Sequence, residues 1–225
     1  MRNMIFAQNS LVKCAVLLLA LTLPVAMAAA PARAATPAEA FVASNIEKGL
    51  AILNNRQISE SQKTAQFQSF LEGLTDVNRI AKFALGAARR GASDQDIAAF
   101  NAAFKAYADA VYQSRLSQYS GQTLKVTGST EARPNDFIVK TVLVDHASQS
   151  GQQPLQVDFR VLNDSGRMVV IDVAIAGVWL AIEERDQFSA FLSQHGGSIS
   201  ALVQHLNQLT AQLKNGGGSA RGNGR

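Results

Sequence analysis

Leu155-Gln-Val-Asp-Phe-Arg-Val-Leu162, the link Asn163-Asp-Ser-Gly166 and the run Arg167-Met-Val-Val-Ile-Asp-Val-Ala-Ile175 decide the fold. Leu155, Val157, Phe159 and Val161 are apolar while Gln156, Asp158 and Arg160 are polar, which is the two-residue period of a strand with one wet face. Val169, Ile171, Val173 and Ile175 repeat that period and put Asp172 on the opposite side. The short link lays the second strand beside the first, so the pair is an antiparallel hairpin. Period two also holds in Leu124 to Thr130 and in Phe137 to His146, which predicts a four-stranded antiparallel sheet.

On both sides of the sheet the apolar spacing is helical. Thr36 caps a segment opening at Pro37 that carries Ala40, Phe41, Ile46, Leu50 and Leu53. A second helix begins near Ser59 and carries Phe67, Phe70, Leu71 and Leu74. Asp76 caps a short third one through Ile80, Phe83 and Leu85 to Gly86. The strongest stripe starts at Ser93 or Asp94 and runs through Ile97, Phe100, Phe104, Tyr107, Val111 and Tyr112. After the strands come a helix through Ile182, Phe188, Phe191 and Leu192 and another through Ile199, Leu202, Val203, Leu206 and Leu209. Helices, strands, then helices make an α+β layout in which helices cover the sheet's apolar face.

The ends read differently. Residues 1–34 run from basic Arg2 and Lys13 through an apolar stretch, Cys14 to Val25, to the small-x-small sites Ala26-Met27-Ala28 and Ala32-Arg33-Ala34, the order of a cleavable export signal. Pro24 and the repeated cleavage-like sites argue against an uncleaved anchor. Cleavage is expected after Ala34, leaving residues 36–213 as one domain outside the cytoplasm, in the periplasm. Residues 214–225, rich in glycine, are expected to be a disordered tail.

Trimming leaves 18 basic against 17 acidic side chains, so the whole chain's formal charge of +4 is largely that of the leader, and nucleic acid is a poor partner. It also removes the single cysteine, Cys14, and with it any disulfide or thiolate nucleophile. No nucleophile elbow, dinucleotide fingerprint or Walker loop is present. His146, His195 and His205 lack metal-ligand spacing, so neither a metal nor a cofactor is expected. Asp172, inside an apolar strand, has two readings: a carboxylate paired with a cation such as Arg160 on the wet face, or a base in a cavity.

The run from Asp158 to Leu206, with DFRV, the turn NDSG, RMVVIDVAIAGVWLAIEERDQFSAFL and the helix ISALVQHL, resembles the toluene-tolerance Ttg2D family, and FKAYADAVYQSRLSQYSGQTLKV upstream is similar to its helix-to-strand passage. That family includes the periplasmic phospholipid-binding component of the Mla lipid transport system. Asp172, Gly177, Val178, Leu180, Arg185 and Phe188 follow its pattern approximately, and Trp179 stands where the pattern has Ser. The resemblance covers about Phe41 to Leu209. It implies an apolar cavity between helices and sheet that holds acyl chains, and a soluble monomer shuttling phospholipid between an inner-membrane ABC transporter complex and an outer-membrane lipoprotein complex, which maintains outer-membrane asymmetry.

Facing patterns then nominate Tyr107, Val111, Phe137, Val139, Val157, Phe159, Ile171, Val173, Val178 and Trp179 as lipid contacts, and Tyr112 or Arg185 as groups meeting the head group. No catalytic residue is expected on this reading. Three others compete: a hopanoid-pathway lipid-binding protein, a small enzyme with Asp172 as base, and an adaptor with a filled core.

Overall fold

The structure, a computed structural model, describes residues 34–116, 119–145 and 154–219. The expected leader up to Arg33, His146 and the tail from residue 220 lie outside the described residues.

Among the described residues, six α-helices and five strands follow in the order α1 (Pro37–Leu53), α2 (Glu60–Leu74), α3 (Val77–Leu85), a 3-10 turn (Gly86–Arg90), α4 (Asp94–Leu116), β1 (Thr123–Arg133), β2 (Asp136–Val144), β3 (Gln156–Asp164), β4 (Arg167–Ile175), β5 (Val178–Trp179), α5 (Leu180–Gln194) and α6 (Ile199–Ser219). The caps are the expected ones. Thr36 and Glu39 close a capping box on α1, Ser59 and Gln62 close one on α2, and Asp76 accepts from the Arg79 amide at the start of α3. At its C-terminal end α6 runs through Ser219, six residues into the stretch 214–225 expected to be a disordered tail.

The strands form one antiparallel meander in sequence order, β1 to β5. Five strands stand where four are expected. The fifth exists because Ala176 (φ 50°) and Gly177 (φ 84°) reverse the chain tightly enough to lay Val178 and Trp179 back on Ile175 and Ala174. The β3–β4 link makes the same kind of turn, with Ser165 at φ 55° and Gly166 at φ 90°.

One expectation about β4 is corrected by a bulge. Arg160 pairs with Asp172 but its neighbour Val161 pairs with Val170, so Ile171 is the extra residue and the alternation slips. Val170 thus continues the face of Phe159 and Val173, and Val169 turns to the other side. A second correction concerns the face expected to be wet: Asp136, Asp158 and Asp172 are 6%, 8% and 8% exposed. Arg160 neutralises part of that face through a two-pronged bond to Asp136, its Nη2 lying 2.6 Å from Oδ2 and its Nε 2.9 Å from Oδ1.

Two apolar clusters result. Phe100, Phe104, Phe188, Leu192, Leu202 and Leu206 from α4, α5 and α6 form a helical core, joined by Ala81, Ala84 and Leu85 of α3. Ala38 and Val42 of α1 pack on Val139, Val161 and Val170, forming a smaller cluster on one sheet face. A Ser129 hydroxyl on β1 anchors α1 there by donating to Glu39 Oε1 at 2.7 Å.

Candidate functional site

The site is built where α1 and α2 meet the sheet. Phe41, Ile46, Leu50 and Leu53 recur along one side of α1, and Phe67, Phe70, Leu71 and Leu74 along one side of α2. Together with Leu124, Leu143, Leu155, Phe159 and Val170 of the sheet region they enclose a pocket of about 580 Å³. This volume lies within the roughly 300–1,000 Å³ usual for small-molecule sites. No residue of α2 is fully buried: Phe67, Phe70, Leu71 and Leu74 are half-buried, so its apolar stripe is only partly covered by packed side chains.

Gly49 lets the α2 rings approach α1 closely at the pocket wall. It is buried on α1, and a Cβ there would stand 3.2 Å from the Phe70 ring and 3.4 Å from the Phe67 ring. The polar part of the lining consists of Asn45, Arg115, Tyr119, Gln122 and Thr123, and Arg115 is its single charged residue. An adjoining depression shares Leu53 and Tyr119 with the pocket and adds Arg56, Lys63 and Lys214. Two other depressions, around Glu72, Arg79, Lys105 and Arg167 and around Lys82, Arg89, Arg90 and Arg185, are lined mainly by charged and polar side chains.

The residues nominated from facing patterns divide. Phe159 lines the pocket, and Phe137, Val139 and Val173 belong to the apolar cluster on the same sheet face. Val157 shares that face by register, opposite Thr141 and Ile175, whereas Ile171 is the bulged residue. Tyr107 packs against the helical core, with its hydroxyl donating to Glu184 Oε1 at 3.2 Å. Val111 and Tyr112 are half-buried on α4 outside the pocket lining. Val178 is exposed and Trp179 forms the N-cap of α5. Arg185 pairs with Asp186 at 3.0 Å and lies over the Phe83 ring at 5.1 Å, away from the pocket. The stripes of α1 and α2, Gly49, Arg115 and the sheet residues Leu124, Leu143, Leu155 and Val170 are among the lining that facing patterns did not nominate. For α1 and α2 the signal was present as helical spacing.

Asp172 is committed to the backbone. Its Oδ1 accepts from the Val173 amide at 2.8 Å and from the Ala181 amide, in the first turn of α5, at 2.9 Å. α5 has no side-chain cap of its own, so this carboxylate supplies one from the neighbouring strand. Burial pushes the Asp172 carboxyl above the ordinary carboxylate range, and the two amides and Arg160 pull against that shift. Arg160 stands opposite it across the sheet, yet its guanidinium is spent on Asp136. Burial likewise raises Glu184, and burial followed by the Glu184 charge pushes the Tyr107 hydroxyl up to about 12. Among the described residues no group of three or more His, Cys, Asp and Glu side chains is placed to hold a metal ion.

A family model described as MlaC protein matches residues 43–208, from α1 into α6. Among solved structures, the phospholipid-binding protein from Ralstonia solanacearum, in complex with a phospholipid, superposes with a TM-score of 0.68 at 24% identity, over 80% of this chain and 99% of that one. A comparison with curated proteins gives no match. At that identity the structural likeness shows a shared fold.

Proposed function

Because the chain belongs to the MlaC protein family, we propose that it is a periplasmic phospholipid carrier whose cargo lies with its acyl chains in the pocket between α1, α2 and the sheet. The observation that carries this reading is the pocket itself: three apolar walls around about 580 Å³, with polar groups confined to a minority of its lining. An acyl chain kept in water costs about 0.8 kcal/mol for each CH₂, so a protein that moves lipid through an aqueous space needs such an interior. The Ralstonia solanacearum protein of the same fold, in complex with a phospholipid, supports the same occupant.

On this reading the leader directs export and the mature domain travels as a monomer. It passes lipid between an inner-membrane ABC transporter complex and an outer-membrane lipoprotein complex, and so maintains the asymmetry of the outer membrane. The protein makes and breaks no bonds in its cargo. Asp172, held by two amides and absent from the pocket lining, serves the fold.

Native mass spectrometry of the mature protein purified from periplasm, followed by solvent extraction, tests the reading. One phospholipid per chain is expected. A chain that carries none and acquires none from vesicles would show that the pocket serves something else.

A further inference from the structure

Resting on the carrier reading, we propose that Arg115 seats the phosphate of the cargo, so that the pocket prefers phosphate-bearing lipids to neutral lipids of the same acyl length. Arg115 is the one charged side chain in an otherwise neutral lining, and no carboxylate shares that lining. None of the ion pairs found among the described residues involves it. A guanidinium offers a planar fork of donors that matches two phosphate oxygens, and it is weakly hydrated enough to do so beside apolar walls.

The neighbouring groups leave this task to Arg115. The Tyr119 hydroxyl donates to Asn54 Oδ1 at 3.3 Å, and the Gln122 amide donates to the Ser120 hydroxyl at 2.8 Å while its carbonyl accepts from the Ser120 backbone. Arg56, Lys63 and Lys214 in the adjoining depression add positive potential beside the same end of the pocket, with Glu60 offsetting Lys63 through a 2.8 Å contact. A lipid with its chains between α1 and α2 and its phosphate at Arg115 would lose water from its apolar part alone.

Arg115 also sits in the last turn of α4, where any cation favours the helix dipole. A purely structural arginine would give no preference between lipids, and the experiment separates the two roles. Delipidated wild type, R115Q and R115K are mixed with vesicles containing phosphatidylglycerol or diacylglycerol of matched chains, and bound lipid is counted by native mass spectrometry. Wild type should favour phosphatidylglycerol by about tenfold, as one charge-assisted interaction supplies. R115Q should take both lipids equally, its diacylglycerol uptake proving the pocket intact, and R115K should fall between. An unchanged preference in R115Q, or none in wild type, overturns the assignment and leaves the carrier reading standing. Wild type that takes neither lipid sinks both. Inorganic phosphate in tenfold molar excess over lipid should not reduce uptake; inhibition would mark a site for a free anion instead.

Discussion

Asp172 shows how one side chain can support a helix it does not belong to. Trp179 occupies the N-cap of α5 without an acceptor to offer, and the Asp172 carboxylate reaches the Ala181 amide in its place. Asp172→Asn keeps an acceptor oxygen and removes a buried charge, so its stability should stay within about 0.5 kcal/mol of wild type. Asp172→Ala strands two amides and should cost about 1–2 kcal/mol in urea unfolding. Lipid uptake should be unchanged in the Asn variant; a base doing chemistry would not survive that exchange. Glu184 makes a second test. Its carboxyl is raised by burial, so its contribution to stability is full below its ordinary value of 4.5 and is lost as pH rises through the higher folded-state value. Glu184→Gln should therefore gain on wild type between pH 4.5 and neutrality, read as a stability difference that grows from acid to neutral urea melts. Neither role was legible in the sequence. Asp172 stood out as a polar residue in an apolar strand, but its partner amide lies nine residues on, across a turn and a two-residue strand.

Among the elements, strands were the most legible, because alternation and a tight turn specify register locally. Even there the bulge at Ile171 was hidden: Val169, Val170 and Ile171 are all apolar, so either register satisfies the pattern. Helices posed a different difficulty. A stripe of apolar residues says that one side of a helix avoids water and leaves its counterpart unstated. On α4, Tyr107, Val111 and Tyr112 were the nominated residues, and Tyr107 packs against the helical core in which Phe100 and Phe104 meet Phe188 edge-on, at 5.9 and 6.2 Å between centroids. The quieter stripes of α1 and α2 line the pocket instead. Gly49 tests this directly. Gly49→Leu improves helix propensity by up to about 1 kcal/mol and pushes a side chain toward Phe67 and Phe70. If it displaces about two CH₂ groups of cargo at ~0.8 kcal/mol each, lipid uptake should fall roughly tenfold, with unchanged helical circular dichroism. Full uptake by a folded Gly49→Leu protein would place the cargo elsewhere.

At the scale of the whole domain the two apolar clusters have different work. The helical core contains Phe100, Leu202 and Leu206, all at 0% exposure, and stands independent of any occupant. On the pocket side the packing is looser: α2 has no fully buried residue, and its Phe67, Phe70, Leu71 and Leu74 are half-buried. Such an element should open locally at a small free energy, far below that of global unfolding. On the carrier reading proposed above, lipid fills the space between α1, α2 and the sheet and should suppress that opening. Binding also stabilises the folded state as a whole, by about 2.7 kcal/mol at a free lipid concentration one hundred times Kd, so amides that exchange through global unfolding slow as well. The two effects separate in time. Within seconds to minutes of hydrogen exchange, delipidated and loaded protein should differ in α1 and α2 and match around Phe100 and Leu202. Early protection confined to α3 and α5 would move the cargo to the charged depressions, and no early difference anywhere would mean that α1 and α2 hold their places without lipid.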